Sequence, residues 1–325
     1  MGRRAFITGG TGFVGGHLTE RLAREGWEIR ALVRPTSDTT VLRALGAQLV
    51  EGDLSNVEAL RRGAAGADVI YHLAAVTTAR TAEGYHRANA AGTETLAAAV
   101  RGSVPQPGRV VYLRSYAACG PETEGRARRL DDPPAPLTAY GRSKLEGERV
   151  MQSAGVPVVT VRAPAVYGPG DRALLTYFQL VRRGLAPAPG GGDRRIQMVY
   201  APDLAAALLA AADAEPGVYP VADPDTPRWS EVVAAIADAV GRRPLRITLP
   251  PPLVRAAASV TEGVAGLFGR TPAFNREKAE EMLAPGWVCD LAEGTSLLPT
   301  ARATPLDAGV AETVRWYRER GWLPQ

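Results

Sequence analysis

Apolar positions in the first half of the chain fall in short unbroken runs. "RAFITGG", "EIRALVR", "AQLVEGD", "ADVIYHLAA", "GRVVYLRS" and "VPVVTVRAP" read as strands. Helical spacing fills the gaps between them: from about Gly12 to Glu25, over "DTTVLRALG" and "NVEALRRGAAG", from about Ala82 to Val100, and onward from Tyr140. Strands apolar on both faces, alternating with helices, predict a parallel sheet covered on both sides. Right-handed crossovers then make it a doubly wound α/β fold of the Rossmann kind.

The second half reads differently. "PAPGGGD" and "PVADPDTPR" are Gly/Pro-rich breaks. "SEVVAAIADAVG" predicts a helix with a serine N-cap and a glycine stop, and "LDAGVAETVRWYRERGW" a terminal helix. The expected division is a nucleotide-binding domain over 1–168 and an interleaved, mostly helical substrate domain over 169–325. "GVYPVAD", near 217–222, returns as one more strand of the main sheet.

Composition narrows the function classes. Among 325 residues, 38 Lys+Arg against 34 Asp+Glu leave a net charge of +4, with no basic block interleaved with aromatics. Nucleic acid is therefore not an expected partner. Cys119 and Cys289 lack metal-ligand spacing and only three histidines accompany them, so no metal site is expected. The start, "MGRRAFITGG", enters a strand directly without a signal-peptide core. A reduced, cytoplasmic protein is the expectation. Leu253 to Phe268 is apolar but broken by Arg255 and Glu262, too interrupted for a membrane span. It is expected to pack as an amphipathic helix, with a membrane-surface patch as the weaker reading.

Candidate chemistry begins in "ITGGTGFVGG", with Gly9, Gly12 and Gly15 three apart between the first strand and first helix. Gly9 permits a tight turn, Gly12 lets backbone approach a pyrophosphate, and Gly15 allows close helix–sheet packing. Thr11, Phe13 and Val14 belong to the same phosphate-facing turn, where helix amides supply positive dipole. The second strand ends in Val33 and Arg34, with no carboxylate for the ribose hydroxyls. An arginine suits a 2′-phosphate, so NADP(H) is favoured over NAD(H). Asp53 and Leu54 follow the third strand, and Leu73, Ala74 and Ala75 the fourth. All lie at the carboxyl edge of the sheet, where ligands bind.

Ser115 follows the fifth strand on that same edge. In "AYGRSKLEGE", Tyr140 and Lys144 are four apart at the head of a helix and share a face. Alone, the pair reads as a surface tyrosine covering a lysine stem. Beside a dinucleotide turn and Ser115, it reads as a phenol serving acid/base work at a nicotinamide.

Together "TGGTGFVG", "GDL", "HLAA", Asn89 in "YHRANAAGT", Ser115, "YGRSK" and "VRAPAVYGPG" resemble an extended short-chain dehydrogenase/reductase, nearer the dihydroflavonol-reductase and 3-beta-hydroxysteroid-dehydrogenase branch. "TVRWYRERGW" resembles the terminal helix of many relatives. The resemblance implies Tyr140 as acid/base, Lys144 on the nicotinamide ribose lowering the phenol's pKa, and Ser115 on the substrate oxygen. It also implies Asn89 ordering the helix and a water near the lysine, and Pro164 near the nicotinamide. A homodimer through the Asn89 and Tyr140 helices is a further expectation. Arg114 and Cys119 depart from the pattern, in places expected to line the pocket.

Three functions compete on these residues. One is a reductase or dehydrogenase of an apolar or natural-product-like carbonyl or alcohol. The second is a nucleotide-sugar epimerase or dehydratase with tightly held NAD, and the third a non-catalytic nucleotide sensor. The intact Ser115, Tyr140 and Lys144 weigh against the sensor. Relatives that bind sugar nucleotides carry an asparagine where this chain has Ala165. They carry an arginine seven residues before Asp203, where this chain has Ile196, although Arg194 and Arg195 are adjacent. That difference favours a less charged, hydrophobic ketone or alcohol.

Overall fold

A computed structural model describes residues 2–123, 125–268, 272, 274–291, 297–298 and 303–324. The strands are β1 (Arg4–Thr8), β2 (Glu28–Val33), β3 (Gln48–Glu51), β4 (Val69–His72), β5 (Arg109–Ser115), β6 (Val158–Ala163), β7 (Ala165–Tyr167), β8 (Leu185–Pro189), β9 (Met198–Tyr200), β10 (Gly217–Pro220) and β11 (Leu245–Leu249). The helices are α1 (Phe13–Arg24), α2 (Thr40–Ala44), α3 (Val57–Ala64), α4 (Ala82–Tyr85), α5 (Gly92–Arg101), α6 (Ala139–Met151), α7 (Leu175–Arg182), α8 (Ala201–Ala210), α9 (Trp229–Val240), α10 (Pro251–Leu267), α11 (Arg276–Leu283) and α12 (Leu306–Glu319).

Seven strands form one parallel sheet in the order β10-β6-β5-β4-β1-β2-β3. The chain winds outward from β1 to β3, then crosses back so that β4 lies on the other side of β1. That reversal opens a crevice at the carboxyl ends of β1 and β4. Buried apolar residues cover both faces. Leu18 and Leu22 of α1 and Leu204 and Leu208 of α8 pack on one; Leu60 of α3, Leu96 of α5 and Met151 of α6 pack on the other. This two-sided burial is why the strands read as unbroken apolar runs.

Three local expectations change. The long helix over 82–100 comes in pieces: α4 runs through a π-helical turn, His86–Ala91, into α5. The serine expected to cap α9 lies inside it instead. Arg228 holds the N-cap position and its N–H donates to Glu231 Oε2 at 2.6 Å, while Gly241 ends the helix in the left-handed region as expected (φ 71°). The second half is mainly helical but also carries two short parallel pairs, β7 with β9 and β8 with β11.

Helix α10 differs as well. Read as an amphipathic packing helix, it does pack by one seam, but that seam buries only Val254 and Ala258 of its 17 residues, in a small cluster with Ala279 of α11.

Candidate active site

Parallel topology places the end of every cofactor-facing strand on one edge. From the outer side inward these are Asp53 after β3, Arg34 after β2, the glycine turn after β1, Leu73 to Ala75 after β4, Ser115 closing β5, and Pro164 after β6. Neighbouring strands lie about 4.8 Å apart, so this row is about 24 Å long. The predicted residues thus fall in one row along the carboxyl edge of the sheet.

The glycine turn fits a pyrophosphate. Gly9 has φ 82°, and a Cβ there would stand 2.7 Å from the Ala74 amide nitrogen. At Gly15 a Cβ would lie 2.0 Å from the Gly9 carbonyl oxygen. Both must be glycine for α1 to start this close to β1 and β4. Gly12 is the N-cap of α1 and makes no side-chain cap. The first amides of the helix, at Phe13, Val14 and Gly15, are therefore left for a ligand, with the positive end of the helix dipole behind them. Thr11 and Gly12 are exposed beside them.

At the far end of the row, Arg34 is exposed. Asp53 accepts from the Ser55 hydroxyl at 2.6 Å and its amide at 2.8 Å. Those bonds, with the charge of Arg34 nearby, hold its carboxyl below the usual range. Leu54 packs against the helix side of the row, where a Cβ on Gly92 would touch it.

At the other end, Thr138 caps α6, its hydroxyl accepting from the Gly141 amide at 3.1 Å. The helix thereby presents half-buried Tyr140 toward Ser115. Burial pushes the Tyr140 phenol up to about 12, and a hydrogen bond with Ser115 partly opposes the rise. Lys144 is 4% exposed. Its ammonium donates to the Leu113 carbonyl at 3.0 Å and lies 4.7 Å from the centre of the Tyr112 ring. Desolvation, and then the charge of Arg114, lower it to about 7. The groups acting on Tyr140 are Ser115, Glu281 and Tyr85. In this arrangement the phenol is thus raised, where the resemblance implied a depression by Lys144.

Asn89 sits in the π-helical turn and is buried. Its Oδ1 accepts from the Val76 amide at 2.8 Å, and its Nδ2 donates to the Val76 carbonyl and the Ser143 hydroxyl, both at 3.0 Å. It ties the loop after β4 to α6.

Arg114 is the main correction. It does not line the pocket. It is 1% exposed and forms an ion pair with Glu148, which also pairs with Arg162 at 2.9 Å. Arg114 and Arg162 are register partners on β5 and β6, and Glu148 lies one turn beyond Lys144 on the same face of α6. Two arginines inside apolar strands required a buried acid, and Glu148 at that spacing was the available signal.

His72 was also missed. Its ring is buried, with Nδ1 2.6 Å from Thr8 Oγ1 and Nε2 2.9 Å from Thr93 Oγ1. Burial and the charge of Lys144 lower it to about 3, so it is a neutral brace between β1, β4 and α5. Cys119 and Cys289 are both buried free thiols. Among the described residues no cluster could hold a metal ion.

Residues 5–222 match the NAD dependent epimerase/dehydratase family. The chain belongs to that family. The ceramide reductase of Caulobacter vibrioides is 34% identical over 98% of this chain and 96% of its own. A 4-hydroxy-2-methyl-3-oxo-4-farnesyl-3,4-dihydroquinoline-1-oxide ketoreductase of Stigmatella aurantiaca is 31% identical over 80% of each chain. Among solved structures, MoeE5 in complex with UDP-glucuronic acid and NAD superposes with a TM-score of 0.74 at 25% identity, over 98% of this chain and 99% of that one. Family membership places the protein among NAD-dependent oxidoreductases and epimerases, and the two sequence relatives named are reductases. No helix among the described residues is long and apolar enough to cross a membrane.

Proposed function

We propose that this family member is an NADP(H)-linked oxidoreductase of the ketoreductase type, acting on the carbonyl or hydroxyl of an apolar substrate. The observation that carries the choice is the state of the two arginines a sugar diphosphate would need. Arg194 donates to the carbonyls of Pro189 at 2.6 Å and Met282 at 3.3 Å. Arg195 pairs with Glu122 at 3.4 Å. Ala165 and Ile196 offer no donor, and Glu281 acts electrostatically on Tyr140. A buried diphosphate without donors and beside a carboxylate is costly, whereas a neutral carbonyl is not. The ceramide reductase and ketoreductase relatives agree with this reading.

In it, Ser115 and Tyr140 hold the substrate oxygen between two hydroxyls. A phenol raised to about 12 stays protonated through the working range, so Tyr140 is fitted to donate a proton to a nascent alkoxide. Lys144 would hold the ribose hydroxyls with its ammonium. The amides of α1, with Arg34 and Pro164 at the two ends, would seat the remainder of the cofactor. When bound, the nicotinamide supplies the hydride.

The test is a pair of measurements. NADPH oxidation is expected with a panel of hydrophobic ketones. Micromolar binding of UDP- or dTDP-sugars, with NAD surviving gel filtration, would transfer the site to the epimerase class. Calorimetry is expected to show NADPH binding ~10–100-fold more tightly than NADH, the size of a charge-assisted bond of about 1.5–3 kcal/mol. Arg34→Ala should remove most of that difference; equal affinities in the starting protein would remove Arg34 from the role.

Lys144 gives a pH signature. Its ammonium exists below about 7 and is lost above. The kcat/KM for reduction should therefore fall as pH rises through that value. Arg114→Met removes a cation that holds Lys144 down, so the fall should move to higher pH. A profile identical in both proteins would detach the limb from Lys144.

A further inference from the structure

We propose that β11 and α10 form a docking surface for an anionic lipid bilayer, holding the protein by its edge beside the active site. Among the described residues, seven of the eleven exposed large hydrophobic side chains lie between Leu245 and Phe268. Leu253, Val260, Val264 and Leu267 are exposed. At about 100° per residue they fall within an arc of about 60° on α10. The buried seam, Val254 and Ala258, lies on a neighbouring sector facing α11. Arg255 and Glu262 occupy a third. One helix thus carries two apolar stripes, and among the described residues only one of them is covered.

Charge selects the occupant. Between Asp238 and Glu262 the chain has Arg242, Arg243, Arg246 and Arg255 and no acid. All four are exposed. Arg255 meets Glu280 at 2.7 Å and Arg246 meets Asp193 at 3.9 Å, both at the surface. Exposed Leu245 and Ile247 of β11 stand among these arginines. An apolar stripe with a basic rim suits the headgroup region of an anionic membrane. A second copy of this chain would bring a second basic rim against the first.

Position gives the surface a purpose. α10 rests on α11. From α11, Glu277 accepts from the Ala139 amide at 2.5 Å and Glu281 from the Thr138 hydroxyl at 3.4 Å. The bilayer-facing helix is therefore one layer from the residues that precede Tyr140. If the apolar-substrate reading holds, a lipid-borne carbonyl would reach the site from this side. Docking itself can be measured without turnover, so the two readings fail separately.

The experiment is flotation of the intact protein with vesicles of phosphatidylcholine alone or with phosphatidylglycerol. Binding is expected only with the anionic vesicles and should weaken as salt rises. Val260→Asp/Val264→Asp and, separately, Arg242→Glu/Arg243→Glu should each reduce the bound fraction at least tenfold. Unchanged melting temperature and NADPH affinity would show both variants folded. Absence of binding to anionic vesicles, or binding indifferent to both pairs, would overturn the proposal. So would a dimer in solution that Val260→Asp/Val264→Asp dissolves, which would assign the face to a second copy.

Discussion

Tyr140→Phe is expected to lower turnover by ~10²–10⁴-fold while leaving cofactor affinity nearly unchanged. Ser115 acts on the phenol at the head of α6, and burial keeps the Tyr140 proton in place. Removing the hydroxyl takes away the proton donor and one of two groups on the substrate oxygen. It leaves α6 capped, because the cap is the Thr138 hydroxyl. Single-turnover reduction with a ketone substrate, and calorimetric titration with NADPH, separate the two effects. Near-full turnover by the phenylalanine variant would exclude Tyr140 as acid/base. An equal loss of cofactor affinity would make it a cofactor-positioning residue instead.

The second large effect is on stability. Glu148→Ala would leave Arg114 and Arg162 side by side on neighbouring strands, close to Lys144, without their counter-charge. Truncating one partner of a buried ion pair costs about 3–5 kcal/mol, because the remaining charge stays desolvated. Urea unfolding should show a loss of that order, or failure to fold. Glu146→Ala, two residues earlier, removes only a half-exposed contact with His86 and should unfold close to the starting protein. Similar losses in the two variants would mean that the buried triad carries no special weight. The same triad is what joins the sheet to the active site. Its Arg114 lowers Lys144 from below, so stability and the charge state of a catalytic candidate depend on one cluster.

The nucleotide-facing half was legible because its determinants are local. A tight turn, a close helix and a strand edge are each fixed by a few consecutive residues, so Gly9, Gly12 and Gly15 announce themselves. Alternation and handedness predict a doubly wound parallel sheet, and the predicted strand-end residues then fall on one edge of it. The terminal glycine of α9 and the strand at Gly217–Pro220 were readable for the same reason; that the strand seats beside β6 was not.

What the sequence left open involves residues brought together from distant positions. Arg114, Glu148 and Arg162 lie on three elements, and only the pairing of β5 with β6 under α6 shows that they neutralise one another. Arg194 and Arg195 look like free cations in a string of letters; the fold turns one toward carbonyls and the other toward Glu122. Leu253 to Phe268 has the composition of a packing helix, and periodicity alone cannot say how many of its faces find a neighbour. Local pattern specifies which side chains share a face, because that depends on backbone geometry within a few residues. What covers the face, and which charge meets which, depends on desolvation and Coulomb terms between segments far apart in the chain, and those exist only once the chain has folded.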